Sequence, residues 1–183
     1  MRRAGVTHRT HIWLMVTIRQ EESGDAAAIR RVVQEAFGGS AEADLIDALR
    51  TNGKFRLSLV AVREGQVAGH LLFTEVTIEN SGPSLNALGL APLAVKTEFQ
   101  RQGVGSALVR HGLAQCRDMG YGAVIVLGHA QYYPKFGFLP ANRYGLRCEY
   151  DVPEDVFMAL ELRAGALLGI GGLVRYQPEF LEV

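Results

Sequence analysis

The stretch Leu93-Ala-Val-Lys-Thr-Glu-Phe-Gln100-Arg-Gln-Gly103-Val-Gly105-Ser-Ala-Leu108 constrains this chain more than any other, because an apolar strand runs through two glycines straight into an amphipathic helix. Glycines at 103 and 105 let the backbone approach a ligand with no Cβ in the way, and the first turn of the helix points unpaired N–H groups at the same place. Such a turn suits an anion.

Spacing narrows the choice of anion. A dinucleotide fingerprint needs a glycine three residues after Gly105, where Leu108 stands, and an acidic residue about twenty positions further on, where none is found. A P-loop needs Gly-Lys-Ser/Thr, and Gly105-Ser106-Ala107 has no lysine to reach a phosphate.

The chain has 183 residues, of which 48% are apolar, so one well-filled core is expected. Lys plus Arg and Asp plus Glu each total 19, which gives no overall field to draw in nucleic acid or an anionic membrane. The two cysteines, Cys116 and Cys148, form no CxxC pair, and no His spacing suits zinc, so a metal is not expected. Free thiols and the lack of a secretion signal or a long apolar run point to the cytoplasm. Residues 1–14 carry Arg2, Arg3 and Arg9 without an acid and read as a disordered tail or a mis-assigned start before Met15, with residues 15–183 as a single domain.

Along the chain, a short strand from Val16 precedes helices over residues 26–37 and 41–49, with Asp25 and Ser40 as candidate caps. Strands over 57–63 and 67–78 read as a hairpin, and a third over 88–95 has Pro92 as a bulge marker. The helix over 104–119 places Ala107, Leu108, His111, Leu113 and Cys116 on or near one face. The continuous apolar run 123–127 reads as a strand buried on both sides and reached by a parallel crossover. Tyr132 to Phe138 reads as one helical turn closed by a glycine, then a return strand; after it only 147–150 and 158–162 suggest strands.

Three features in order, the hairpin, Gln100-x-x-Gly103-x-Gly105 and Tyr133-x-x-x-Gly137-Phe138, resemble the GNAT superfamily of N-acetyltransferases. The form Leu127-Gly-x-x-x-Tyr132-Tyr133-x-x-Phe136-Gly137-Phe138 is similar to a bacterial branch of it. The resemblance covers Val16 to Pro140 and leaves a C-terminal extension from about residue 141. It departs from the family where Gly128-His129-Ala130-Gln131 replaces an Asn and a small residue, which implies a shorter helix and altered coenzyme contacts.

The resemblance implies an α+β fold, a mixed and mostly antiparallel twisted sheet flanked by helices, with a splayed strand pair holding acetyl-CoA. It implies an N-acetyltransferase that passes acetyl from acetyl-CoA to a primary amine of a small molecule or protein by direct attack, and a possible homodimer. Leu93, Ala94 and Val95 would bond the pantetheine arm through their backbone. Gln100, Arg101, Gln102, Gly103, Val104, Gly105 and Ser106 would hold the pyrophosphate. Tyr133, a phenol protonated near neutrality, would be the proton donor with Tyr132 its rival. Glu75 would act as base through water or face outward as a solvated carboxylate, with His70 and His129 as fallback bases. The competing function is a non-catalytic acyl-CoA-binding regulatory module on the same fold.

Overall fold

The computed structural model describes residues 16–79 and 82–182; the expectations for residues 1–14 lie outside them. Strand β1 (Thr17–Gln20) leads to helices α1 (Ala26–Phe37) and α2 (Ala41–Thr51), followed by strands β2 (Phe55–Arg63), β3 (Gln66–Glu79) and β4 (Ala87–Val95). Helix α3 (Val104–Asp118) connects β4 to β5 (Ala123–Leu127). The remainder supplies β6 (Leu139–Pro140), β7 (Leu146–Cys148), β8 (Phe157–Glu161) and β9 (Gly172–Arg175).

Helix α1 forms because Ile29, Val32 and Val33 fall on one buried face, and it stops at Gly38, whose φ of 76° is left-handed. Helix α2 buries Ala43, Leu45, Ile46 and Leu49, with Glu42 and Asp44 in its first turn and Arg50 in its last, as the helix dipole favours. Neither expected cap bonds a backbone amide of its helix. Asp25 instead takes Arg19 and the amide of Glu22, and the Ser40 hydroxyl donates to Asp44.

The strands run β1-β2-β3-β4-β5-β8-β6 across the sheet, antiparallel throughout except for the parallel pair β4 and β5 that the α3 crossover creates. The far end of β3, Thr77 to Glu79, leaves this sheet to pair with β9, which also pairs with β7. Most of the C-terminal extension thus closes onto β3 and β5. The stretch 165–172, glycine-rich and unassigned in sequence, supplies turns that lead into β9.

One face of the sheet, with Leu59, Leu71, Phe73 and Leu88, packs against α3; the other, with Val60, Leu72 and Ala94, packs against α1 and α2. The buried face of α3 is Val104, Leu108, Val109, Gly112, Leu113 and Cys116. The sequence-based face needs one correction: His111 is exposed and pairs with Gln115 at 2.9 Å, because the stripe turns through Val109 and Gly112 to reach Phe73.

Candidate active site

Two irregularities in β4 make the site. Its pairing with β5 covers only Ala87, Leu88 and Gly89, opposite Ala123, Val124 and Ile125, after which the two strands part. Between Leu71↔Leu93 and Phe73↔Leu90 the β3 register slips, because β4 carries an extra residue at Ala91-Pro92. That is the bulge expected at Pro92. Beyond Gly89 the β5-facing edge of β4 therefore has no strand beside it, and a cavity of about 1080 Å³ opens there.

The glycine loop forms one end. Arg101 and Gly103 both have positive φ, 58° and 88°, so the backbone turns sharply between β4 and the start of α3. No side chain caps α3, and its first amide bonded within the protein is that of Ala107, on Gly103 O at 2.9 Å. The amides just ahead have no protein acceptor among the described residues. The loop is braced from outside: Gln100 donates to Val95 O, Gln102 to Glu98 O, and Arg63 to the Gln102 side chain while lying over the Phe99 ring.

Of the predicted coenzyme residues, Leu93, Val95, Gln100, Arg101, Gly103, Gly105 and Ser106 line the cavity. Ala94, Gln102 and Val104 do not. Ala94 is buried beneath the first two helices, Val104 is the first residue of α3 and turns into the core, and the Gln102 side chain is spent on Glu98 and Arg63.

Tyr132 and Tyr133, the expected proton donor and its rival, both line the cavity. A tight 3-10 turn over Tyr133–Phe136, ended by Gly137 at φ 96°, sets their rings edge to face with centroids 5.1 Å apart. Tyr132 reaches to the start of α3, and Lys135 lies 3.7 Å over its ring. Tyr133 is the deeper of the two, 7% exposed, wedged against Phe138 and against the Cα of Gly128, where no Cβ would fit. That packing explains the glycine at 128 in place of a larger residue. Burial pushes the Tyr133 phenol well above its ordinary range, so it stays protonated at neutral pH.

The candidate bases separate. Glu75 is not a cavity residue: it forms a two-pronged pair with Arg56 at 2.9 and 3.0 Å, and that hydrogen bond holds its carboxyl below the usual range. His70 is fully buried, 2.8 Å from the Ser58 hydroxyl, which in turn bonds Glu21. Burial opposes the charge on Glu21, yet the His70 ring 3.7 Å away and hydrogen bonds from Arg50 and Ser58 outweigh it and hold that carboxyl at about 2. This polar cluster is structural. Only His129 lines the cavity.

Residues 17–141 match the family described as Acetyltransferase (GNAT) domain. The chain belongs to the GNAT acetyltransferase family. Among GNAT relatives it is 39% identical over 164 residues to the N-acetyltransferase YhbS of Escherichia coli K12, covering 89% of this chain and 97% of that one. It is 44% identical over 142 residues to YjhQ of the same strain, covering 76% and 78%. The crystal structure of E. coli YhbS in complex with CoA aligns with a TM-score of 0.88 at 38% identity, over 95% and 96% of the two chains. A GNAT acetyltransferase from Brucella melitensis in complex with acetyl-CoA aligns at 0.74 and 34%, over 91% and 99%.

The mixed sheet and flanking helices expected for a GNAT enzyme are those observed. Among the described residues no group of three or more His, Cys, Asp or Glu is placed to hold a metal ion, and no helix is long and apolar enough to cross a membrane. Sequence reasoning missed several lining residues, among them Glu42 from the start of α2 and Phe180 from the turn over Pro178–Glu182. Neither belongs to a motif; the fold alone brings them in.

Proposed function

We propose that the protein is an acetyl-CoA-dependent N-acetyltransferase in which a primary amine attacks the thioester directly. The observation that carries this reading is the meeting of three elements in one cavity: the freed edge of β4, the uncapped start of α3 and the buried phenol of Tyr133. The CoA and acetyl-CoA held by the two similar solved proteins support it.

The pyrophosphate would sit on the amides ahead of Ala107, with Arg101 as the charge beside it. The pantetheine arm would pair with the β4 edge at Leu93 to Val95 as an added strand. A main-chain N–H on that edge would also take the negative charge that grows on the thioester oxygen, worth a few kcal/mol. As the amine nitrogen bonds the carbonyl carbon, the C–S bond breaks and Tyr133 gives its proton to the departing thiolate, then regains one from solvent. His129, the one candidate base on the cavity wall, takes the proton the amine loses.

Thiol release from acetyl-CoA in the presence of an amine panel, together with calorimetric titration of CoA, tests the reading. Heat on titration with release dependent on an added amine supports it. Coenzyme binding with no release for any amine would make the protein a non-catalytic acyl-CoA module. No heat at all would remove the coenzyme assignment.

A further inference from the structure

We infer that the acceptor is a small amphiphilic amine, a primary ammonium borne on an aliphatic or aromatic body, and that Glu42 fixes the ammonium. This rests on the acyl-transfer reading above and adds the chemistry of the acceptor.

Charge along the cavity is divided. The cationic side chains that line it, Arg101 and Lys135, belong to the loop and tyrosine segments that would face coenzyme phosphates. Among the described residues the sole carboxylate lining it, Glu42, comes from α2 on the opposite face of the sheet. Glu42 is half-buried and makes no hydrogen bond or ion pair among the described residues, whereas Asp44 and Asp47 of the same helix are held by Arg30, and Asp47 also by Arg50. A half-buried carboxylate with no protein partner is able to take a charge-assisted hydrogen bond from a cationic ligand in the cavity.

Apolar side chains share the lining with Glu42: Phe37, Leu45, Leu90, Pro92 and Phe180. Leu45 and Leu90 are almost fully buried and back the wall from the core. A polycation or a sugar amine would leave its polar groups facing hydrocarbon there, which costs free energy unless each finds a partner. An amine with one charge and an apolar body leaves none unmatched. Phe180 stands on the turn over Pro178–Glu182, tied to α2 by Asn52 donating to Glu179 at 2.8 Å, and this end wall favours a compact acceptor over an extended peptide. At about 1080 Å³ the cavity lies at the large end for a ligand site, and its lining includes both the glycine loop and Glu42.

The test compares phenethylamine, tryptamine and hexylamine with ethanolamine, spermidine and a lysine peptide, using thiol release from acetyl-CoA by the full-length protein and by Glu42→Gln. The expected result is a kcat/KM at least about tenfold higher for the apolar amines, with Glu42→Gln raising their KM about ten- to a hundredfold while CoA binding heat is unchanged. Normal CoA binding with equal or better use of the polar amines, with no turnover of any apolar amine, or with a Glu42→Gln KM within about twofold of the parent, overturns the acceptor class and leaves the coenzyme assignment standing. Loss of CoA binding in the parent protein overturns both.

Discussion

The hydroxyl of Tyr132 stands over the Cα of Gly105, so close that a Cβ at residue 105 would lie 2.9 Å from its oxygen. The start of α3 and the tyrosine pair are thus fitted to each other. Gly105→Ala is expected to push the ring or the loop aside and raise the KM for acetyl-CoA roughly tenfold or more, about 1.4 kcal/mol of binding. Adding Tyr132→Phe should return part of that loss, because the two changes are coupled through one contact. Initial rates at varied acetyl-CoA check both.

Tyr133→Phe should lower kcat by about a hundredfold or more, the usual worth of a positioned general acid, with little change in KM for acetyl-CoA. Tyr132→Phe should act mainly on the coenzyme KM. Because burial holds the Tyr133 phenol above its ordinary range, no fall in kcat attributable to its deprotonation is expected below about pH 10. The opposite pattern in the paired variants would move the proton donor to Tyr132.

Glu75→Gln should keep turnover and cost no more than about 1 kcal/mol of stability, since both Glu75 and its partner Arg56 are more than a third exposed. Steady-state rates and urea unfolding measure the two effects. A hundredfold loss of kcat with stability unchanged would restore Glu75 as the base.

Helix α3 lies close against the sheet at Gly112, where a Cβ would meet the buried Phe73 ring at 2.6 Å. Gly112→Ala is expected to destabilise the protein by about 1–3 kcal/mol through overpacking. Urea midpoints read this directly.

Acid should weaken the Glu21, Ser58 and His70 cluster. The folded pKa of Glu21, about 2, lies below its ordinary value of 4.5, so the stability it confers is complete above pH 4.5 and is lost as pH falls toward 2. Discounted for solvent at its partly exposed carboxylate, this is on the order of 2 kcal/mol. Unfolding free energies measured from pH 6 to 2.5 should fall less steeply below pH 4.5 in Glu21→Gln than in the parent.

Most of the cavity lining around the glycine loop and the tyrosine turn was legible in sequence because it is local. The Gln-x-x-Gly-x-Gly loop and the Tyr-x-x-x-Gly-Phe turn each lie on one short segment, and their backbone needs dictate glycine at fixed offsets. Pro92 announced the bulge for the same reason. Glu75 could not be placed that way: alternation along β3 gives its face of the sheet, but whether that face meets the cavity or Arg56 depends on a pairing nineteen residues back. Strand β9 was hidden because a glycine-rich lead-in erases periodicity, and its partner on β3 is almost a hundred residues earlier. Glu42 and Phe180 meet only through tertiary packing, so no spacing rule connects them.

The last turn of the chain, anchored on α2, lies far in sequence from every donor-side motif. On the acyl-transfer reading proposed above, this turn lies on a different stretch of polypeptide from the glycine loop and the tyrosine turn. Substitutions around Phe180 are then expected to alter which amine is used while leaving coenzyme binding as it is.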